Sequence, residues 1–352
     1  DGQRMYLLLV SVHGLIRGHE LELGRDADTG GQTKYVVDLA RALAKRDDVD
    51  QVDLVTRRIV DARVSADYAQ PIELLSPKAR IVRIDAGPEE YLPKESLWDH
   101  LDSFGDNLVH WLNEQGYMPD LVHSHYADAG YVGVRLSGLL GIALVHTGHS
   151  LGRDKRQRLL AAGLPLEEID RRYNLNRRVD AEEEVLANAD LVITSTHQEI
   201  EDQYGLYDYY RPDRMAVIPP GTDLQQFHPP ESGAPAIPFV KQVSRFLTDA
   251  DKPLILALSR PDPRKNIGTL VDAYGQSPRL QEIANLLIIA GSRDDIREMD
   301  EGAQSVLTEI LVAIDAYDIY GRVAMPRRHG SEEVPGIYRL ADLSKLWVQL
   351  DA

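Results

Sequence analysis

The chain of 352 residues contains no cysteine. That excludes disulfides, thiolate metal sites and a cysteine nucleophile, and it fits a cytoplasmic setting. No stretch approaches the roughly 20 apolar residues that span a bilayer. The early apolar run YLLLV is short and lies inside a fold pattern, so it does not read as a signal peptide. Positive charge is scarce: 39 Lys and Arg stand against 56 Asp and Glu, for a formal net charge of −17. Neither a nucleic-acid partner nor an anionic membrane surface is expected. The full G-x-G-x-x-G fingerprint is missing, which disfavours a dinucleotide site. No repeat of solenoid period is present. The first residue is Asp1 rather than Met, so the natural start is expected upstream.

What the chain does contain is alternation. Short apolar runs (YLLLVSV, QVDLVTR, ARIVRI, DLVHSH, IALVHT, DLVITST, MAVIPP) read as strands. Helical patterns lie between several of them. In TKYVVDLARALAKR, Tyr35, Val36, Leu39, Ala40 and Leu43 share one face at 3.6-residue spacing. Strand–helix alternation implies parallel pairing in a doubly wound α/β sheet covered on both faces. The first domain is read as 1–227. The proline-rich stretch HPPESGAPAIPF opens a linker over 228–245. Alternation resumes in a second domain, 246–352, with three clear strands: PLILALSR, ANLLIIAGSRDD and GRVAMP.

In such sheets ligands bind beyond the carboxyl ends of strands. Gly30, Gly31 and Gln32 follow the first strand and open a helix, where bare backbone and the helix dipole suit a ligand, an anion above all. A tight turn that binds nothing is the plainer reading. GHSLG at 148–152 formally matches the G-x-S-x-G of a serine hydrolase with Ser150 as nucleophile. The charged RDKRQRLL that follows does not suit the buried helix such an elbow needs. His123, His125, His146 and His149 gather at two strand ends, and without a carboxylate among them they read as hydrogen-bonded polar groups rather than metal ligands. Lys94, Lys155, Arg177 and Arg178 are candidates for a phosphate clamp in an otherwise acidic chain. The arginine pair could equally match Glu182–Glu184 at i,i+4 spacing. In SRPDPRKN, Arg260 at a strand end and Lys265 beyond it would suit a leaving diphosphate, or form an ordinary basic loop.

Taken together these stretches are more specific than any one of them. SVHGLIRGHELELGRDADTGGQTKYVVDLARAL, GHSLGRDK, NRRVDAEEEVL, ITSTHQEIEDQYGLYD, VIPPGTD and SRPDPRKN resemble the sucrose-phosphate synthase family, and the likeness runs to about Ala341. The resemblance implies a GT-B glycosyltransferase, two Rossmann-like doubly wound domains facing across a cleft. It implies transfer of glucose from UDP-glucose to fructose 6-phosphate with retention. By matching position, Gly31, Gln32, Lys94, Tyr126, Ser150, Lys155, Arg177 and Arg178 would hold fructose 6-phosphate. His149 would lie by the reacting sugar. Gly30, Arg260 and Lys265 would serve the donor, the two cations neutralising the diphosphate. No metal site is implied and no cofactor is required, though Mg²⁺ can stimulate members of the family.

The likeness stops near the end. The family continues into an E-P-F-G-L-type segment with two glutamates that bind the donor, whereas this chain reads DLSKLWVQLDA. The second domain is therefore expected to be incomplete and the chain not to turn over. A sugar-phosphate-binding remnant without catalysis is the alternative expectation, and the serine hydrolase a distant one.

Overall fold

The computed structural model describes residues 4–231 and 238–343. The chain divides into two compact units between Pro220 and Gly221. That is earlier than the boundary at 227 read from the sequence, because residues just after the break pack with the second unit. The Phe227 ring lies 6.0 Å from that of Tyr338, and Arg339 donates to the Gln226 carbonyl at 2.8 Å. Residues 232–237, inside the proline-rich stretch, and 344–352, where the ending departs from the family pattern, lie outside the described residues.

The first unit runs β1 (Met5–Val10), α1 (Gly31–Ala44), β2 (Val49–Arg57), β3 (Ile72–Ser76), β4 (Ala79–Ile84), α2 (Leu101–Gln115), β5 (Leu121–His125) and α3 (Tyr126–Leu140). It continues through β6 (Ala143–Thr147), α4 (Gly152–Ala161), α5 (Leu166–Tyr173), α6 (Leu175–Asn188), β7 (Leu191–Thr194) and β8 (Met215–Val217). The sheet order is β3-β4-β2-β1-β5-β6-β7-β8. Every pairing is parallel except β3 with β4. The alternation in β1 explains the layers. Leu8 and Val10 join the core beneath α2, α3 and α6, with Phe104, Val132 and Val185. Leu7 and Leu9 join the opposite core with Val36, Val37 and Ala40 of α1. An apolar run that alternates between two cores is what a sheet covered on both faces requires.

The second unit contains α7 (Phe239–Ser244), β9 (Leu254–Ser259), α8 (Ile267–Gly275), α9 (Pro278–Ile283), β10 (Asn285–Ala290), α10 (Glu301–Ala316), β11 (Val323–Ala324) and α11 (Val334–Leu343). Among the described residues its parallel sheet has three strands, with β10 in the middle. Leu286 and Ile288 pack toward α8 and α10, while Leu287 and Ile289 pack toward Phe239 and Ile337.

The carboxyl ends of β5 and β6 are built from buried histidines. His123 bonds Thr147 Oγ1 through Nε2 at 2.8 Å, and His146 bonds Ser124 Oγ through Nδ1 at 2.8 Å. His125 Nδ1 and His149 Nε2 share a hydrogen bond of 2.9 Å, and the His123 and His125 rings lie 4.1 Å apart on one strand face. Burial pulls all of them down, helped for His125, His146 and His149 by the other imidazoles. His123 falls to about 4, His146 and His149 to about 3, and His125 well below its ordinary value. They are neutral in the folded protein at pH 7.

Their unfolded counterparts titrate near pH 6.5. Above that pH both states are neutral and stability is full. Below it the unfolded chain takes up protons that the folded one refuses, so stability drops with falling pH. Each such histidine contributes about 1.4 kcal/mol per pH unit at most, until its folded value is reached. Urea midpoints should therefore hold above about pH 7 and decline as the pH falls from about 6.5 to 5.5. His146→Gln should make that decline shallower by about one proton's worth. A midpoint that does not move over this range would contradict the assignment.

Candidate functional site

The strand order reverses at β1. On one side of β1 lie β2, β4 and β3 in that spatial order, and the chain then returns to place β5 on the other side. Helices leave these two strands in opposite directions, so a crevice opens beyond their carboxyl ends. Residues 11–30 leave β1 at that point, α3 starts directly after β5, and 148–152 follow β6. Two non-glycine residues here have left-handed backbone, Tyr126 at φ 76° and His149 at φ 62°. Each costs of the order of 1–3 kcal/mol and is held by its surroundings. Tyr126 is held between the His13 ring, 4.7 Å away edge-on, and the Arg178 guanidinium, 4.5 Å from its centroid. His149 is held by His125 and by the edge of Tyr35 at 5.0 Å.

A small, open pocket lies beside Tyr126. Lys94, Glu95, Trp98, Asp128, Lys155, Tyr173 and Arg178 complete its lining. Three of the four clamp candidates, Lys94, Lys155 and Arg178, therefore meet in one place, together with Tyr126 of the acceptor set. The sequence reading missed Glu95, Trp98, Asp128 and Tyr173.

The three cations differ in their partners. Lys94 is tied to Asp28, which receives both its Nζ and, at 2.7 Å, its backbone N–H. Glu95 is a second, looser partner at 3.6 Å. Arg178 is buried and donates from Nε to Glu182 at 2.9 Å. Lys155 rests its ammonium on the Tyr173 ring, 3.9 Å from the centroid, and makes no ion pair among the described residues. Burial, Arg178 and Lys94 together pull it down to about 8, against an opposing pull from Glu95. Asp128, also on the lining, is matched by His13 Nδ1 at 2.8 Å.

The remaining first-unit candidates are not on this lining. Gly30 caps α1 with extended backbone and Gly31 begins the helix. Neither needs glycine for its φ, and a methyl group at either would meet no atom within 4 Å. Gln32 donates to Ser11 Oγ at 3.1 Å and to the His125 carbonyl at 3.4 Å. Ser150 accepts from Arg178 Nη2 at its hydroxyl and its carbonyl, both at 2.9 Å. Arg177 is turned outward, half exposed, and pairs with Asp99 at 2.6 Å. The i,i+4 match to the acidic run forms at Arg178–Glu182 and not at Arg177.

The hydrolase-like glycines have a packing cause. A Cβ at Gly148 would stand 2.5 Å from the Tyr204 hydroxyl, and one at Gly152 would stand 3.0 Å from Glu182 Oε2. The Ser150 hydroxyl faces an arginine, while His149 is engaged with His125, so the base–nucleophile contact of an activated serine is not formed. Among the described residues no group of three or more side chains is arranged to hold a metal, and no helix is long and apolar enough to cross a membrane. In the second unit, Arg260 follows β9 and is exposed, while Lys265 closes a short 3₁₀ turn, Pro263–Lys265, and is partly buried.

The family description Glycosyltransferase Family 4 matches residues 29–226. Sucrose-phosphate synthase 4 of Arabidopsis thaliana is 43% identical over 98% of this chain and 39% of its own length. Sucrose-phosphate synthase of Zea mays is 45% identical over 96% of this chain and 38% of its own length. The chain thus spans about two fifths of the length of these curated relatives. The solved sucrose-phosphate synthase from Thermosynechococcus elongatus has a TM-score of 0.67 and 28% identity, covering 96% of this chain and 74% of that one. The catalytic domain of starch synthase IV from Arabidopsis thaliana, at 13% identity and a TM-score of 0.61, covers 96% of this chain and 77% of that one and shares the fold. With its doubly wound first unit, its crevice at the reversal of strand order and these relatives, the chain belongs to glycosyltransferase family 4, adopts the GT-B fold and resembles the sucrose-phosphate synthases.

Proposed function

We propose that the first unit holds fructose 6-phosphate and that glucose is transferred to it from UDP-glucose with retention, giving sucrose 6-phosphate and UDP in the cytoplasm. The observation that supports this reading is the pairing of the pocket's cations. Lys94 and Arg178 already have carboxylate partners, whereas Lys155 does not. A phosphate monoester brings a charge of about −1.5 to −2 at neutral pH and three acceptor oxygens. It would supply the partner Lys155 lacks, and Arg178 and Lys94 stand beside it on the same lining.

In this reading Lys94, Lys155 and Arg178 take the phosphate, with Arg177 a lesser, outer contact. Gly31, Gln32, Tyr126 and Ser150 take the sugar, the glycine because a ligand fits where a side chain would stand. His149, neutral and fixed by His125, offers a hydrogen bond beside the reacting carbon without serving as an acid. Gly30, Arg260 and Lys265 belong to the donor. As the bond from the glucose C1 to the diphosphate breaks and that to the fructose oxygen forms, the fructose hydroxyl proton passes to the departing diphosphate oxygen and the two cations neutralise the leaving UDP. These cations carry the neutralisation, and Mg²⁺ is a stimulant rather than a required cofactor.

Lys155→Ala should weaken fructose 6-phosphate binding by about 1.5–3 kcal/mol, the worth of one charged hydrogen bond, whereas Arg177→Ala should cost less than about 1 kcal/mol. Calorimetric titration with fructose 6-phosphate measures both. Equal affinity of the unaltered chain for fructose and its phosphate would overturn the phosphate assignment.

Bound phosphate should raise the Lys155 value above its free value of about 8. A group raised on binding contributes fully below its free value and loses its contribution as pH rises through it. Affinity should therefore hold near pH 7 and fall above pH 8, by up to about tenfold per unit. Titrations at pH 7 and pH 9 check this, and Lys155→Ala should lose the dependence.

Product analysis after incubation with UDP-glucose and fructose 6-phosphate tests the transfer itself. Sucrose 6-phosphate formation would support the transfer and overturn the expectation that this chain does not turn over. Binding without product would make this chain a sugar-phosphate-binding module.

A further inference from the structure

We propose that Glu182 is the positioning residue of the pocket, which orients the Arg178 guanidinium toward a bound phosphate. The inference rests on the acceptor reading above. Glu182 lies on α6, one turn after Arg178, and its side chain is almost wholly buried. It collects donors from three directions. Arg178 Nε reaches Oε1 at 2.9 Å, the Gly152 backbone N–H reaches the two oxygens at 3.1 and 3.0 Å, and the Tyr207 hydroxyl donates to Oε2.

The arrangement closes a ring. Arg178 is held by Glu182 at Nε and by Ser150 at Nη2, and Ser150 is joined to Gly152 through Leu151. Two edges of the planar fork are thereby fixed. Nη1 is bonded to no acceptor among the described residues. A guanidinium restrained at two nitrogens loses little freedom when its remaining donors meet an anion. The approach is close at 152, where any side chain would make its neighbours give by a few tenths of an ångström. A Cβ there would meet Glu182 Oε2 at 3.0 Å, Val179 at 3.1 Å and Arg178 Cδ at 3.3 Å. Tyr207 is itself pinned, accepting the Arg153 backbone N–H at 3.1 Å.

Charge alone and positioning give opposite expectations for Glu182→Gln. The substitution removes a negative charge next to an anion site. If the carboxylate merely offset Arg178, phosphate binding would tighten. If it positions the guanidinium, binding weakens, because the amide offers one acceptor oxygen where the ring uses two.

The test is calorimetric titration of fructose 6-phosphate into the unaltered chain, Glu182→Gln, Arg178→Ala and the double variant, with thermal unfolding of each. Glu182→Gln should bind about tenfold more weakly. In the Arg178→Ala background the same change should cost less than about twofold, since interacting residues are non-additive. Tyr207→Phe, which removes a single donor to Glu182, should weaken binding several-fold and carries the test if Glu182→Gln does not fold. Unchanged or tighter binding in Glu182→Gln, or an equal loss with and without Arg178, would overturn the inference alone. Absence of fructose 6-phosphate binding by the unaltered, folded chain would overturn the acceptor reading and this inference with it.

Discussion

A parallel sheet covered on both faces leaves a ligand nowhere to go but the ends of its strands. In the first unit that constraint begins with β1, whose side chains alternate between two cores. Leu8 and Val10 serve the layer of α2, α3 and α6, and Leu7 and Leu9 serve α1. With both faces closed, the reversal of strand order between β1 and β5 is where the backbone opens. The two glycines after β1, the strained first residue of α3 and the loop after β6 all stand at that opening.

The floor of this opening is neutral and the wall is charged. The four histidines of β5, β6 and the following loop are buried and uncharged, so they add hydrogen bonds without adding cation repulsion. The cations come instead from α4, α6 and the turn at Lys94. Burying Arg178 carries a desolvation penalty that Glu182 offsets, whereas Lys155 leans on the face of Tyr173. An aromatic face stabilises an ammonium without neutralising it. The pocket therefore keeps one ammonium, that of Lys155, with no ion pair among the described residues and in reach of an anion.

Much of the fold was legible because the parallel strands are nearly continuous apolar runs separated by helical patterns. The strand that was not legible, β3, is the antiparallel edge, where Ile72 is 40% exposed and Leu74 76% exposed. An edge strand half in water carries no long apolar signature. The cations of the site were legible as types in an acidic chain, but their partners were not. Asp28 and Lys94 lie 66 positions apart, and Arg177 and Asp99 lie 78 apart. No local spacing encodes such pairs, so Arg177 and Arg178 looked alike in sequence. In the structure one points to solvent and the other is buried. Tyr173 and Trp98 were missed for the same reason: an aromatic beside a pocket has no pattern that separates it from one in a core.

The stretch GHSLG shows how one pattern can arise from unrelated physics. In a hydrolase elbow the glycines make room for a sharp turn around a reactive serine. Here Gly148 makes room for the hydroxyl of Tyr204, and Gly152 lets a buried carboxylate reach a backbone N–H at the start of α4. The left-handed residue is His149, not the serine. Ser150 consequently presents its oxygen to Arg178 as an acceptor. The spacing is that of a nucleophile, yet the hydrogen bonds are those of a loop clamped onto a guanidinium. What separates the two is the direction of one donor, which lies in the three-dimensional position of α6 and not in the five residues themselves.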